Sequence, residues 1–265
     1  MNELIALEGW DKWHDWHAAV MAPLTQWFVD GVAPGQRVLD VACGTGLPAL
    51  AIAERVGASG RLVATDVAAG MVAATRRRGA GLEQLTVREA SIDALPFDDG
   101  SFDVVTCKDG LMYAADLALG ARELKRVLRP GGRVLVSAWD EAPHAAFFRT
   151  LFQSMAPFVS TPPPPDAPGP LRLSTPGRVE SLLRDAGFAA VQLERREVVF
   201  AFDSLDHHWN AVRELAGPVG AFAAKASAED VARLRSTLAA ALAPFTNPGG
   251  AVWLPTNALC VSGTR

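Results

Sequence analysis

Through the first half of the chain, short apolar runs suited to buried strands alternate with longer segments whose apolar positions recur every three or four residues. The runs RVLDVA (Arg37 to Ala42), RLVATD (Arg61 to Asp66), LTVREA (Leu85 to Ala90), FDVVTC (Phe102 to Cys107) and RVLVSAW (Arg133 to Trp139) read as strands, and the segments between them carry helical patterns. In AADLALGARELKRVLR the period puts Leu117, Leu124 and Val127 on the face to be buried, and Pro130-Gly131-Gly132 closes that helix before the next strand opens. Strands alternating with helices imply right-handed crossovers, hence an α/β fold with a parallel sheet covered on both faces.

Beyond Trp139 the pattern changes. TPPPPDAPGP (Thr161 to Pro170) has too many residues without an N–H donor to be helix interior or central strand, so it reads as a loop. STPGRVESLLRDAGF follows as a helix with Ser174 or Thr175 as its cap and Gly187 as its stop, then AAVQLERREVVFAF as a strand. Two helical patterns, around Leu205 to Ala216 and Ala228 to Ala243, form an insertion before a last strand, AVWLPTNALCVSG. Near the start, Trp10, Trp13, His14, His17, Val20 and Met21 fall within one arc of a helix whose length Pro23 should limit. The expectation is one domain over residues 1–265, with lid helices over 1–36, a cofactor-binding core over 37–139, and substrate-covering insertions over 140–176 and 203–247.

Composition narrows the function classes. With 265 residues, 49% of them hydrophobic and 20% charged, the chain has material for a core and no sign of disorder. A formal net charge of -4, with Lys and Arg spread along the chain, leaves no basic stripe to neutralise phosphates, so nucleic acid is not an expected partner. The opening MNELIALEGWDKWHDWH lacks a basic n-region and a long apolar run, which predicts no signal peptide, no membrane span and a cytoplasmic protein, monomeric or a homodimer. Cys43, Cys107 and Cys260 form no CxxC pair, and His207-His208 has no third ligand at metal spacing, so reduced thiols and no metal are expected.

The chemistry concentrates in Val38-Leu39-Asp40-Val41-Ala42-Cys43-Gly44-Thr45-Gly46, a buried-type strand that runs into two glycines and then a helix. The glycines allow a ligand to approach the backbone, and in a doubly wound sheet this turn lies where ligands bind. Asp66 ends the second strand twenty positions after Gly46, where a carboxylate can accept hydrogen bonds from both hydroxyls of a ribose. Gly44-Thr45-Gly46-Leu47-Pro48-Ala49 also satisfies a loose NAD pattern, but Asp40 beside the turn would repel a pyrophosphate and suits an ammonium. Adenosine with an ammonium and no phosphate points to S-adenosylmethionine, whose demethylated product is S-adenosylhomocysteine.

VLDVACGTG, TDVAAGM, LPFDDGSFDVV, GLMYAAD and ELKRVLRPGGRVLVSAW together resemble successive motifs of class I S-adenosylmethionine-dependent methyltransferases, closest to the ubiquinone and menaquinone biosynthesis type. The resemblance implies a Rossmann-like, doubly wound, mostly parallel seven-stranded sheet with its last strand antiparallel, plus a helical lid or insertion. It implies that Asp40 and the backbone of Ala42, Cys43, Gly44, Thr45 and Gly46 hold the methionine part, that Asp66 holds the ribose, and that Val67 and Met71 flank the adenine. Where such proteins often place an Asp to read the adenine amino group this chain has Ser91, followed by Ile92, whose backbone is the expected contact. Lys108 falls where the family's residues approach the cofactor and acceptor, and Tyr113 where its acceptor pocket begins.

Methyl transfer from a sulfonium is in-line and needs mainly alignment and exclusion of water. His14, His17 and His144 are the candidate acid–base groups, and Trp10, Trp13, Tyr113 and Trp139 the candidate acceptor contacts. The expected function is methyl transfer to a small molecule such as a quinol, phenol, amine or secondary metabolite. A non-catalytic S-adenosylmethionine-binding regulator or scaffold and an NAD-dependent oxidoreductase are the alternatives.

Overall fold

A computed structural model describes residues 7–265 apart from Pro162 and Pro165. The first residues of the expected lid segment and those two prolines of the expected loop lie outside the described residues. The chain divides into two compact units: a sheet unit of Met21–Glu141, Asp166–Arg196 and Ala258–Arg265, and a helical unit of Met1–Val20, Ala142–Pro165 and Glu197–Asn257.

The elements follow in order. Helices α1 (Leu7–Lys12) and α2 (His14–Asp30) precede β1 (Arg37–Val41), α3 (Ala49–Val56), β2 (Arg61–Asp66), α4 (Ala69–Arg78), β3 (Leu85–Glu89) and β4 (Phe102–Cys107). Then come α5 (Leu117–Val127), β5 (Leu128–Trp139), α6 (Ala146–Met155), α7 (Arg178–Asp185) and β6 (Ala189–Phe202), and finally α8 (Leu205–Leu215), α9 (Gly217–Lys225), α10 (Ala228–Leu242) and β7 (Val252–Thr264).

The seven strands form one sheet in the order β3-β2-β1-β4-β5-β7-β6. Strands β1 to β5 pair in parallel, and β7, the last strand, runs antiparallel to β5, as the motifs implied. From β1 the order steps outward to β2 and β3 on one side and from β4 to β5 on the other, so the topological switch lies between β1 and β4. Their carboxyl ends are where a doubly wound sheet offers a crevice.

Several local expectations are corrected. Pro130-Gly131-Gly132 does not separate helix from strand: α5 stops at Val127, β5 starts at Leu128, and the register shifts between the pairs Phe102↔Leu128 and Val104↔Arg133 to absorb the three residues. Helix α5 buries Gly120, Ala121, Leu124 and Val127, with Leu117 only half-buried. Helix α7 is capped by Gly177 in the left-handed region (φ 78) rather than by Ser174 or Thr175, and the Ser174 hydroxyl donates to Leu171 O at 2.7 Å instead. Pro23 does not end its helix. It sits inside α2 at a cost of about 3 kcal/mol, outweighed by complete burial of Met21, Leu24 and Phe28, each contributing about 1.5–3 kcal/mol. The break falls instead at Trp13, between α1 and α2.

The helical unit has its own core of Leu151, Met155, Trp209, Val212, Val219, Leu234 and Leu238. Ser204 and Ser227 cap α8 and α10 by accepting from the N–H groups of His207 and Asp230. Helices α6 and α9 were not anticipated. The opening Gly217-Pro218 of α9 looks like a turn, yet proline is tolerated in a first helical turn, where its missing N–H has no partner to lose. Among the described residues no helix is long and apolar enough to cross a membrane.

Candidate active site

Asp40 lies one residue before the end of β1, in register with Thr106 of the neighbouring β4, and is completely buried. The Thr106 hydroxyl donates to Asp40 Oδ1 at 2.5 Å, whereas Oδ2 has no partner. Burial pushes the carboxyl up to about 7, against the opposing pull of the Thr106 hydrogen bond and the Lys108 charge. A buried carboxylate with one unsatisfied oxygen is costly and suits a cationic donor.

Immediately beyond it the chain turns through Ala42 (φ 60) and Gly44 (φ 55), both left-handed. A Cβ built on Gly44 would meet nothing within 4 Å, so the loop faces open space there, while one on Gly46 would press on Leu50 at 3.0 Å. Cys43 and Thr45 are buried, and the Cys43 N–H donates to Thr65 O at 2.9 Å. Three anchors fix the loop: that bond, the Thr75 hydroxyl donating to Gly44 O at 2.8 Å, and the Gly44 N–H donating to Asp66 Oδ2 at 2.9 Å. Thr75 and Thr106 were missed by sequence reasoning; Thr106 is a lone hydroxyl in the apolar run from Val104 to Cys107, whereas Thr75 stands between an apolar run and three arginines.

Asp66, at the end of β2, also accepts from the N–H of Ala68 through Oδ1 at 2.9 Å. Burial raises its carboxyl above the ordinary value, and the backbone donors of Ala68, Gly44 and Val67 oppose the rise. Each oxygen keeps lone-pair capacity for one more donor. Next to it Val67 is an exposed apolar side chain, and Met71 is buried in α4. Ser91 and Ile92 are half-buried, and the Ser91 hydroxyl accepts from the Asp93 N–H at 3.3 Å. The Asp93 carboxylate accepts from the N–H groups of Ala115 and Asp116.

After β4, Lys108 is buried with its ammonium 3.2 Å from Asp109 Oδ2. Asp109 has a left-handed backbone (φ 53); its Oδ1 accepts from the Ser137 hydroxyl at 2.6 Å and its N–H donates to Ser137 Oγ at 3.0 Å. Gly110 follows because a Cβ there would lie 2.4 Å from the Ala42 Cβ. Tyr113 is half-exposed on a short turn, and Trp139 is buried at the end of β5 opposite Ala258.

The remaining candidates belong to the helical unit. Trp13 stacks on His207 with ring centres 5.3 Å apart and donates its indole N–H to Glu214 at 2.7 Å, while Lys12 bonds both oxygens of the same carboxylate. Trp10 meets His17 edge-on at 5.0 Å, His14 is buried and His144 is exposed. His208 is buried edge-on to Phe202 at 4.8 Å, and burial pulls it down to about 4, so it is neutral near pH 7. Among the described residues no group of His, Cys, Asp or Glu could hold a metal ion.

Residues 39–136 match a family described as a methyltransferase domain. The matched stretch holds Asp40, the glycine loop, Asp66, Lys108 and Asp109. Among curated proteins the chain is 38% identical over 155 residues to the ubiquinone/menaquinone biosynthesis C-methyltransferase UbiE of Stenotrophomonas maltophilia, covering 57% of each chain. It is 44% identical over 115 residues to the demethylmenaquinone methyltransferase of Clavibacter sepedonicus, covering 42% of this chain and 45% of that one. The matches thus span about half the length of these curated relatives. Among solved structures, the YcgJ protein from Bacillus superposes with a TM-score of 0.63 at 19% identity, over 91% of this chain and 97% of that one, a likeness of fold.

Proposed function

We propose that this chain transfers a methyl group from S-adenosylmethionine to a small-molecule acceptor, with a hydroxylated aromatic ring of the quinol type as the first candidate, as the names of the curated relatives suggest. The observation that carries the reading is Asp40, a buried carboxylate with one unpartnered oxygen at the start of a glycine loop that faces open space at Gly44. These residues fit the cofactor: an ammonium would satisfy Asp40, and a side chain at Gly44 would fill the space it needs.

In this reading Asp40 holds the ammonium, the Ala42–Gly46 backbone accommodates the methionine part, Asp66 accepts from the ribose hydroxyls, Val67 and Met71 flank the adenine, and the Ile92 backbone meets its edge. When bound, S-adenosylmethionine supplies a methyl carbon activated by its sulfonium. The chain's own work is to align the partners and exclude water. Tyr113 and Trp139 of the sheet unit are the proposed acceptor-side groups. The protein is proposed to act in the cytoplasm as a monomer or homodimer, without nucleic acid.

Calorimetric titration with S-adenosylhomocysteine and with NAD tests the cofactor: binding of the first alone is expected, and binding of NAD alone would overturn the reading. A mass-spectrometric screen of quinols, phenols, amines and polyketide-like compounds for a gain of about 14 mass units then tests the reaction. A quinol product is expected, and methylation of amines alone would replace the proposed acceptor class.

A further inference from the structure

Helices α8, α9 and α10 of the helical unit border an open groove of about 570 Å³, a volume usual for a small-molecule site. The side of α9 that lines it carries Gly220, Ala223 and Ala224, spaced as one helical face. A Cβ on Gly220 would lie 2.6 Å from Arg213 O, so α9 touches α8 there, and the two alanines fill little of the space beyond. Trp209 belongs to the apolar core of this unit and Val231 packs against that core, which gives the groove an apolar floor.

Two guanidiniums line the same groove. Arg235 lies over the Trp209 ring, 5.5 Å from its centre, and bonds Asp206 through one nitrogen. Arg213 is less well paired. The carboxylate oxygen nearest to it, Glu214 Oε1, is 3.7 Å away, too far for a hydrogen bond, and already accepts from Lys12 at 2.9 Å. The other oxygen of Glu214 accepts from Lys12 and from the Trp13 indole, both at 2.7 Å. The Lys12 hydrogen bond, more than any other contact, holds the Glu214 carboxyl below its ordinary value, so this acid is ionised and its acceptor capacity is committed away from Arg213. Around the groove three cations, Arg213, Arg235 and Lys12, thus face two carboxylates, Glu214 and Asp206.

We propose that this groove binds a small carboxylate with a flat apolar body, its carboxylate on Arg213 and Arg235 and its body over Trp209, Ala223 and Val231. Planar guanidiniums take a carboxylate through two parallel N–H bonds and stack on flat rings, so both parts of such a ligand find a match. An inorganic anion would forgo the apolar floor, and an uncharged ring would forgo the arginines. The site lies wholly in the helical unit, outside residues 39–136, and is independent of the cofactor reading.

The test titrates 2-naphthoate, neutral 2-naphthamide and inorganic phosphate into the full chain by calorimetry, with NMR shifts locating the bound ligand. For 2-naphthoate a dissociation constant below about 1 mM is expected, about tenfold or more tighter than either control, with the largest shifts at Ala223, Ala224 and the Trp209 indole. Arg213→Gln should weaken 2-naphthoate by roughly 10-fold, the low end for a hydrogen bond to a charged group, because the Arg213 side chain is half-exposed. Ala224→Leu, at an exposed position, fills the groove without changing its charge and should abolish binding while the circular dichroism spectrum stays that of wild type. Phosphate bound as tightly as 2-naphthoate would reduce the groove to a cationic patch, and 2-naphthamide bound as tightly would reduce it to an apolar cleft. Binding of 2-naphthoate that is absent, that shifts residues elsewhere, or that survives Arg213→Gln undiminished would remove the carboxylate site. Each of these results overturns the assignment.

Discussion

The Gly44 backbone N–H donates a 2.9 Å hydrogen bond to Asp66 Oδ2, while Oδ1 of the same carboxylate accepts from Ala68. Asp66 therefore shapes the glycine loop before any ligand arrives. The variant Asp66→Ala is expected to lose two structural bonds as well as the proposed ribose acceptor. Its melting temperature should fall by roughly 3 to 10 °C, from about 1–3 kcal/mol, and its affinity for S-adenosylhomocysteine by about 10- to 100-fold. Thermal unfolding and calorimetry read the two effects separately. An unshifted melting temperature would mean that the carboxylate does not brace the loop.

The pH dependence follows from Asp40, whose carboxyl is pushed up to about 7 by burial from an ordinary value of 3.8. A carboxyl raised in the folded state favours the fold in its protonated form. Its contribution to stability is full below the ordinary value, falls as pH rises towards about 7, and is absent above. Asp40→Asn keeps an oxygen to accept from Thr106 and removes the buried charge, so at pH 8 the ligand-free variant should melt higher than wild type. Binding goes the other way: wild-type affinity for S-adenosylhomocysteine should drop as pH is lowered from 8 to 6, and the variant should bind weakly at every pH. Parallel, undiminished titrations of the two proteins would remove Asp40 from the site.

Gly44→Ala separates steric from structural effects. Its Cβ would meet nothing within 4 Å, so the cost to the fold is the left-handed backbone alone, about 1–2 kcal/mol. The variant should fold, with a near-native circular dichroism spectrum, yet fail to bind S-adenosylhomocysteine in a thermal-shift titration. Normal ligand-induced stabilisation would show that the open side of the loop faces no ligand.

In the helical unit, Glu214 gathers Lys12 and the Trp13 indole, and Gly9 packs so closely that a Cβ would lie 2.3 Å from Glu214 O. Glu214→Ala should release α1 from α8 and speed amide hydrogen exchange across residues 7–13 by about tenfold, for a loss near 1.4 kcal/mol. Gly9→Ala should do so more strongly because backbone must move. Unaltered exchange in both variants would mean that α1 is held by other contacts.

Much of the sheet could be read from the chain because each strand is a short apolar run and each crossover carries its own turn residues. The Asp40–Thr106 bond could not. It depends on β1 and β4 being neighbours, and strand order is set by packing of the whole sheet, which no local run encodes. Asp66 was expected to be a ligand group from its spacing to Gly46, but its bonds to Gly44 and Ala68 were invisible because backbone donors carry no sequence signature. Pro23 misled in the opposite direction, since its intrinsic penalty is plain in the sequence and the compensating burial of Met21, Leu24 and Phe28 is not. Helix α9 was hidden by the small residues of GPVGAFAAK, of which only Val219 becomes fully buried.

The close approach of Gly110 to Ala42 carries a consequence for how the ligand edge responds to binding. The turns that follow β1 and β4 come so close that a Cβ on Gly110 would lie 2.4 Å from the Ala42 methyl and 3.0 Å from the Cys107 thiol. Hinge motion between them would have to open a gap or stretch the β1–β4 ladder. The crevice is therefore set to its width at folding, and a ligand entering it has little backbone entropy to quench. Bound and ligand-free forms should superimpose over these two turns, with any slow step in binding arising elsewhere in the chain.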